Sequence, residues 1–381
     1  MKTETEVYHR LQQEIDKTPI GFPATGSGVE LRLLKHLFTP EEAEIALNLS
    51  ALPEPAERIY NRARKQKPIA FKELEQILDR MVEKGAIMGG KTLSKGQTRK
   101  VYSKLPLAFG MFEFQVDRLT KQFSQDMDQY WDEGFGEEFH SKKTSQMRTI
   151  PINQSLKPEH NVGTYDDTRQ IVMKSVGPFA VINCVCRQVK DLLEEPCKQT
   201  DIRETCILMQ DFAREVIDRG NGRALTKDET LALLDRAESA GMVLQPQNSQ
   251  DPVFICCCCS CCCGVLTSAK KLPQPAQYFH TNYFSEVDPA LCEGCKTCIS
   301  RCKMEAISMV DKIASVDLDQ CIGCGLCVTT CKASALQLKK KGKETVPPKD
   351  QDSLYKKIMM EKLGPWGTAK MMGKMLLRKK I

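Results

Sequence analysis

The chain has 381 residues, of which 41% are hydrophobic and 27% charged, so it can form two or three domains with apolar cores. Its mean hydropathy is -0.36, and no apolar stretch reaches the roughly 18 residues of a membrane span, which excludes an integral membrane protein. Residues 1–16 lack the apolar core of a secretory signal, so we expect a cytoplasmic protein.

The cysteines and the charge are both unevenly distributed along the chain. All 19 cysteines lie between Cys184 and Cys331. The formal net charge is +6, and residues 339–381 carry 13 Lys and Arg against 4 Asp and Glu. Because cytoplasmic thiols are kept reduced, so dense a set of cysteines indicates metal ligation rather than disulfides.

The first third of the chain predicts helices followed by a hairpin. Residues 1–28 form a polar arm rich in Pro and Gly, and residues 29–105 contain several short helices. One helix begins at Thr39-Pro40-Glu41-Glu42, which has the residues of a capping box. Another covers 70–84, and short strands are expected at 86–88 and 101–102. This order predicts a winged-helix-like domain over 29–105.

A winged helix often binds DNA, but the charge of this region is unfavourable for that role. The candidate recognition helix, 70–84, has a net charge of -1. Four basic residues lie in the tip of the hairpin: Lys91, Lys95, Arg99 and Lys100. We therefore favour protein docking, with nucleic-acid binding kept as a disfavoured alternative.

The middle of the chain divides into two predicted parts. Residues 106–178 form a helical connector, with an amphipathic helix over 106–138. Residues 179–284 form a Cys-rich helical domain with helices at 206–219 and 227–240. The second helix begins with a Thr226–Glu229 capping box, and Gly220 and Gly241 end the two helices.

One cysteine motif occurs twice towards the C-terminus. The chain reads C-x2-C-x2-C-x3-C from Cys292 and again from Cys321. Three thiolates on a tight loop can reach three corners of an iron–sulfur cube, with Gly294 and Gly323 permitting close backbone approach. The fourth cysteine is expected to start a helix and to bind the other cube. The predicted ligands are Cys292, Cys295, Cys298 and Cys331 for cluster 1, and Cys321, Cys324, Cys327 and Cys302 for cluster 2.

This double motif resembles the bacterial two-cluster ferredoxin over residues 286–338. The resemblance implies two [4Fe-4S] clusters in a βαββαβ-type domain, here placed at 285–338, with a strand before and after each motif. Where that family usually has Pro after the fourth cysteine, this chain has Lys303 and Lys332. The repeated triplets, each with a fourth cysteine, disfavour paired zinc knuckles.

Eleven further cysteines precede the double motif. Neighbouring side chains of an extended chain point to opposite faces, so the run from Cys256 to Cys263 cannot all reach one metal. One or two additional [4Fe-4S] clusters, a zinc ion, or packing and redox thiols all remain open. The candidate ligands are Cys184, Cys186, Cys197, Cys206, Cys256, Cys258, Cys259, Cys261, Cys262 and Cys263.

The order of motifs from Cys184 onward resembles an uncharacterised family of iron–sulfur proteins from strict anaerobes. The shared features are C-x-C-R, spaced cysteines, G-x-G-R at 220–223, the cysteine run and the two ferredoxin motifs. In that family the position of Cys257 is often Asn, which makes Cys257 the least suitable ligand. The resemblance implies a redox role without naming a substrate.

Residues 339–381 form a basic, Met-rich tail. Flexible methionines with flanking lysines suit docking to an acidic redox partner or peripheral contact with an anionic membrane. A solvated tail partly packed on its own domain is the alternative.

Together these features predict an α+β multidomain protein. It has a mostly helical N-terminal winged-helix-like domain, a Cys-rich helical middle domain and a C-terminal ferredoxin domain. We predict an electron carrier or oxidoreductase subunit that exchanges single electrons with a partner oxidoreductase in anaerobic metabolism. No catalytic side chains are identified. The alternatives are a redox sensor that regulates transcription through the winged helix, and a reductase that uses a cluster bound by the cysteine run.

Overall fold

The computed structural model describes residues 4–94, 97–157, 160, 162–377 and 379–380. The chain divides into two compact units, one of Met1–Glu138 with Met359–Ile381 and the other of Phe139–Ile358. Within the described residues, none of the helices is both long enough and apolar enough to cross a membrane.

The first unit is mainly helical and contains a small antiparallel sheet. The sheet has the order β1-β3-β2. Its strands are β1 (Glu54–Pro55), β2 (Met88–Ser94) and β3 (Gln97–Ser103). The helices that lie wholly in this unit are α1 (Glu4–Asp16), α2 (Val29–Leu37), α3 (Pro40–Ala46), α4 (Ala56–Ala63), α5 (Phe71–Glu83) and α6 (Lys121–Tyr130). The short helix α7 (Gly136–His140) spans the division between the units.

Helix α1 corrects the prediction of a polar arm over 1–28. Tyr8, Leu11 and Ile15 recur at helical spacing and are buried, which gives the helix an apolar face. The Tyr8 hydroxyl donates a hydrogen bond of 2.8 Å to the Phe38 carbonyl. The segment reads as polar because only a few of its residues are apolar, and these few are enough to pack the helix.

The helix-and-hairpin region contains the predicted capping box. Thr39 accepts a hydrogen bond from the Glu42 amide, and the Glu42 carboxylate accepts one from the Thr39 amide. Strands β2 and β3 are longer than predicted. They pair along their whole length, from Met88 opposite Ser103 to Ser94 opposite Gln97. The winged-helix interpretation of this region stays a prediction.

The segment 106–138 is not the continuous helix that its apolar period predicts. Phe109 has φ +56° and Ala108 has ψ 139°, so the chain turns sharply between Pro106 and Phe112. Helix α6 begins only after Thr120, whose hydroxyl accepts a hydrogen bond from the Phe123 amide. Most of the apolar positions are buried as expected, although the backbone between them is irregular rather than one continuous helix.

The second unit is built on a five-stranded antiparallel sheet, which corrects the prediction of a helical middle domain. The strand order is β6-β4-β5-β8-β7. The strands are β4 (Phe179–Asn183), β5 (Glu204–Met209), β6 (Arg223–Leu225), β7 (Val243–Pro246) and β8 (Phe254–Cys258). Most of β4 and β5 is apolar and buried, and periodicity cannot separate such short runs from buried helices.

Five helices accompany this sheet and its surroundings. They are α8 (Thr168–Lys174), α9 (Val185–Leu192), α10 (Gln210–Asp218), α11 (Lys227–Ser239) and α12 (Gly264–Ala269). The predicted helix over 206–219 is therefore a strand followed by a shorter helix. The Thr226–Glu229 capping box of α11 is present, and Gly220 and Gly241 have φ of +70° and +74° at the predicted helix ends.

The region of the double cysteine motif contains two antiparallel strand pairs. Strand β9 (Tyr283–Val287) pairs with β12 (Leu336–Lys340), and β10 (Ile307–Val310) pairs with β11 (Ile313–Val316). A short helix, α13 (Thr297–Arg301), lies within the first motif. The strands occupy the positions expected on either side of each motif.

Residues 139–178 are part of the second unit rather than a connector. The Ile150 amide donates to the Leu244 carbonyl at 3.1 Å, and the Ile152 amide donates to the Cys324 carbonyl at 3.0 Å. The segment therefore bonds to β7 through one residue and to the second cysteine motif through another. Because few of its residues are helical, hydrophobic periodicity did not indicate that the segment belongs to the second unit.

The tail contains α14 (Gln351–Leu376), which is interrupted at Gly364 with φ +65°, immediately before Pro365. Leu354 and Ile358 are buried, whereas Trp366 is 91% exposed. The Lys362 ammonium donates to the Thr18 carbonyl at 2.9 Å. The tail thus combines packed and exposed parts.

A comparison of two glycines with left-handed backbone tests how tightly the second motif is packed. Gly323 lies in that motif, and Gly220 lies outside it. Gly323 has φ +65°, and a Cβ there would overlap the Tyr283 carbonyl. Gly220 has φ +70° with no atom within 4 Å of such a Cβ. We expect Gly220→Ala to lower the free energy of unfolding by about 1 kcal/mol, from backbone strain alone. Gly323→Ala should cost more than about 3 kcal/mol, because steric overlap adds to the strain.

Denaturant unfolding of both variants under anaerobic conditions measures the difference. Equal losses of stability at the two positions would contradict the close packing of the second motif against β9.

Candidate metal centres

The strongest candidate centre is a recess in the region of the double motif. Four cysteines line it, three from the second motif and one from the end of the first: Cys302, Cys321, Cys324 and Cys327. Apolar side chains, including Ile307, Val316 and Leu326, line the same recess. The structure therefore brings together the four residues predicted for cluster 2, and the donor set suits a [4Fe-4S] cluster.

The local backbone explains how the second motif forms this recess. Gly323 and Gly325 have φ of +65° and +73°, a region that residues with a Cβ adopt only with strain. Gly325 packs against Ser155, as Gly323 packs against Tyr283. In the first motif, a Cβ on Gly294 would lie 2.6 Å from the Lys312 carbonyl. In the structure these glycines let the motif loops pack closely against neighbouring backbone and side chains of the protein.

The fourth cysteine of the first motif does not start a helix as predicted. Cys302 follows α13, and its amide donates to the Cys298 carbonyl at 3.0 Å, so the residue caps the helix end. Ending the helix there turns the chain towards the second motif. This geometry gives Cys302 its place in the recess.

Three of the cysteines predicted for cluster 1 lie in or against a small apolar core that also holds Cys327 of the second motif. Cys298 is buried in it with Ile307 and Leu336, and Cys292 and Cys331 pack against it. Cys295, the fourth predicted ligand, is exposed. The set again combines three residues of one motif with the fourth cysteine of the other.

Several groups donate hydrogen bonds towards the motif sulfurs. The amides of Ala306 and Ala314 lie 3.2 Å from Cys302 Sγ and 3.4 Å from Cys292 Sγ. The Ser285 hydroxyl lies 3.2 Å from Cys327 Sγ. Such donors stabilise negative charge on sulfur, and sequence motifs did not identify them because two are backbone groups.

Burial makes the unligated thiolates unfavourable. It raises the pKa of Cys327 to about 12, although the hydrogen bond with Ser285 acts in the opposite direction. Burial also raises the pKa of Cys302. A bound metal supplies the positive charge that balances a buried thiolate. The recess therefore suits sulfur atoms that are bound to a metal.

Lys303 replaces the usual Pro and lines the same recess. Burial lowers the pKa of its ammonium, and Arg301 adds a like charge. Its electrostatic partners include Cys324 in the recess and Cys259 and Cys261 in the cysteine run. Lys303 is therefore a positive group between two sets of thiols.

A second candidate centre, here named the compact thiol group, lies beside the middle sheet. Its four sulfurs all lie within 4.8 Å of one another; they belong to Cys197, Cys259, Cys261 and Cys262. Cys259 and Cys262 are buried, while Cys197 and Cys261 are half-buried. The hydrogen bond with Cys262 lowers the pKa of Cys259, and the guanidinium of Arg187 lowers it further.

The remaining candidates form a chain of neighbouring thiols. Cys206 and Cys256 are cross-strand partners on β5 and β8. The Cys256 thiol also interacts with that of Cys258. Cys258 in turn belongs to a second group of neighbouring thiols, here named the four-cysteine set: Cys184, Cys186, Cys258 and Cys263. Cys184 and Cys263 precede α9 and α12, respectively. No three of these six sulfurs, all within the described part of the chain, lie mutually within 4.8 Å.

Cys257 differs from its neighbours. It is buried, and burial raises the pKa of its thiol to about 12. Cys256 and Cys258 have thiol partners by hydrogen bonding, whereas Cys257 alternates to the other face of β8. It remains the least suitable ligand in the run.

Arg187 is a functional candidate that sequence reasoning left without a role. It is fully buried and donates to the Thr205 hydroxyl and, at 3.2 Å, to the Cys257 carbonyl. Among the residues that the structure describes, no carboxylate pairs with it. Burial disfavours its charge, but the neighbouring Cys184 and Cys259 outweigh this and raise its pKa. The signal available in the sequence was an Arg directly after C-x-C.

Two of the four basic residues of the hairpin lie close to acidic side chains. Lys100 forms an ion pair of 2.7 Å with Asp79 on the candidate recognition helix, and Arg99 lies 3.9 Å from Glu57. Lys95 lies outside the described residues. The acids of this unit therefore neutralise part of the surface that DNA binding would need.

Comparison with known proteins assigns one part of the chain. Residues 285–332 match the family of the 4Fe-4S dicluster domain. No curated protein and no solved structure matches the chain. This part of the chain therefore matches a 4Fe-4S dicluster domain, and the match supports an iron–sulfur electron-transfer protein.

Proposed function

We propose that this protein relays single electrons between its iron–sulfur clusters and a partner oxidoreductase in anaerobic metabolism. The observation that carries the proposal is the recess in which Cys302 joins three cysteines of the other motif. Two linked ligand sets of this kind would hold two clusters in one small domain, which is the arrangement of an electron relay.

The proposed ligands are those of the sequence prediction. Cluster 1 takes Cys292, Cys295, Cys298 and Cys331, and cluster 2 takes Cys321, Cys324, Cys327 and Cys302. When bound, a [4Fe-4S] cluster supplies one-electron redox chemistry without breaking bonds in a substrate. The chain itself holds the sulfurs, donates hydrogen bonds to them through Ser285 and backbone amides, and limits water access with apolar side chains.

A third [4Fe-4S] cluster is proposed for the four-cysteine set. The thiol of Cys258 interacts with those of Cys184, Cys186 and Cys263. These sulfurs come from a strand and from the N-terminal ends of α9 and α12. They are neighbours without converging on one point, as suits ligands of separate irons in a cluster.

The basic tail is proposed as the docking segment for an acidic redox partner. Its net charge is strongly positive, and it carries exposed apolar groups such as Trp366 and Leu376. Complementary charge speeds the encounter of two proteins, while exposed apolar residues add contact area. We also propose a cytoplasmic location, where the thiols remain reduced and available to metals.

Iron counting with paired serine variants tests the cluster assignment. The anaerobically purified full chain should contain about twelve iron per molecule. Cys302→Ser and Cys321→Ser disrupt the same proposed cluster, so the double variant should lose no more iron than either single variant. Cys302→Ser with Cys292→Ser disrupts two clusters and should lose about twice as much.

Cys257→Ser is the matched control, because it changes a buried cysteine that is not a proposed ligand. It should retain the full iron content and the reduced-state EPR spectrum. If Cys302→Ser and Cys292→Ser together lost no more iron than one alone, the sharing of cysteines between the motifs would be wrong.

Lys303 should raise the reduction potential of cluster 2, because its ammonium favours the added electron. We expect Lys303→Met to lower that potential by on the order of 50 mV. Lys332 directly follows Cys331, a proposed ligand of cluster 1. Lys332→Met should therefore lower the reduction potential of cluster 1 instead. EPR-monitored redox titration separates the two effects, and equal shifts of both clusters in both variants would contradict the placement.

A further inference from the structure

We propose that the compact thiol group of Cys197, Cys259, Cys261 and Cys262 binds a single Zn²⁺ ion in a tetrahedral site. This site is separate from the iron–sulfur ligand sets, and the inference does not depend on the proposed electron relay. Four cysteine ligands leave no open position on the ion for a substrate or water, so its role here is structural.

The sulfur–sulfur distances match one shared ion. Cys197 Sγ lies 3.7 Å from Cys259 Sγ and 3.6 Å from Cys261 Sγ. Cys261 Sγ lies 3.7 Å from Cys262 Sγ. Four sulfurs at a Zn–S distance of about 2.3 Å stand about 3.8 Å apart at the corners of a tetrahedron.

The motif cysteines of the dicluster domain provide an internal comparison. In a [4Fe-4S] cluster each thiolate binds a different iron, so its four sulfurs stand farther apart than four sulfurs around one ion. None of the eight motif cysteines, all in the described part of the chain, belongs to a group of three sulfurs mutually within 4.8 Å. The same chain thus holds its cysteines at two different spacings.

The four sulfurs come from two separate segments of the chain. Cys197 lies between α9 and β5, in residues 193–203, which contain no helix or strand. The other three cysteines lie in the turn between β8 and α12, where the Cys263 amide donates to the Cys259 carbonyl at 3.2 Å. One ion bound by all four sulfurs would join the irregular segment to this turn and restrict both.

The surroundings carry the charge that such a site requires. Zn²⁺ with four thiolates has a net charge of -2, which is costly to bury without cations nearby. Arg187 is fully buried beside Cys197 and Cys259, without a carboxylate partner among the described residues, and its Nε has no hydrogen-bond partner. Lys303 is a second cation near Cys259 and Cys261. Both positive groups are explained by a negatively charged metal–thiolate centre.

Metal analysis of the full chain tests the proposal. Anaerobically purified protein, washed with a chelator to remove loosely bound metal, should contain one zinc per chain by mass spectrometry. X-ray absorption at the zinc edge should show four sulfur neighbours at about 2.3 Å. Cys261→Ser should lose the zinc and keep the iron, whereas Cys257→Ser should keep both.

Cys261→His provides a second variant if the serine variant does not fold. A His can replace a Cys as a zinc ligand, so this variant should retain zinc with three sulfur neighbours and one nitrogen neighbour. Loss of about four irons in Cys261→Ser, with no zinc in the wild type, would show a cluster and overturn the proposal. Loss of a single iron would also overturn it, by replacing zinc with mononuclear iron.

Discussion

The central constraint on this protein is that sulfur atoms from distant parts of the chain must meet in buried places. A buried thiolate without a counter-charge is unfavourable, and burial raises the pKa of the proposed ligands Cys302 and Cys327. Metal binding removes that cost by supplying positive charge where the sulfurs converge. Binding of the proposed metals would therefore be coupled to folding of the second unit, and much of its local structure brings cysteines together.

Several features of the fold follow from this constraint. Gly323 turns against Tyr283 so that the second motif can wrap around its recess, and Ile152 ties that loop to an earlier segment through the Cys324 carbonyl. Helix α13 ends at Cys302, which directs this residue towards the other motif. The middle sheet performs the same task by different means, since pairing of β5 with β8 sets Cys206 beside Cys256.

The sequence predicted local features well where the chemistry requires a fixed spacing. The capping box at Thr226 and the strands around the cysteine motifs lie where they were expected. The middle sheet was missed because the short apolar strands β4 and β5 have no distinguishing period. Helix α1 was missed because few of its residues are apolar. Contacts between segments far apart in the chain, such as that of Arg187 with the cysteine run, leave no local pattern to detect.

Cysteine spacing in the sequence cannot by itself distinguish a cluster from a single ion in the run, because both use the same ligand. The distances between sulfurs do distinguish the two kinds of site. They are shorter in the compact thiol group than among the motif cysteines. Lys303 lies between these two kinds of centre, with Cys324 on one side and Cys261 on the other. In the proposed assignment its charge would act on a redox centre and on a structural one at once. A Pro at this position would shape the turn but could not compensate either charge.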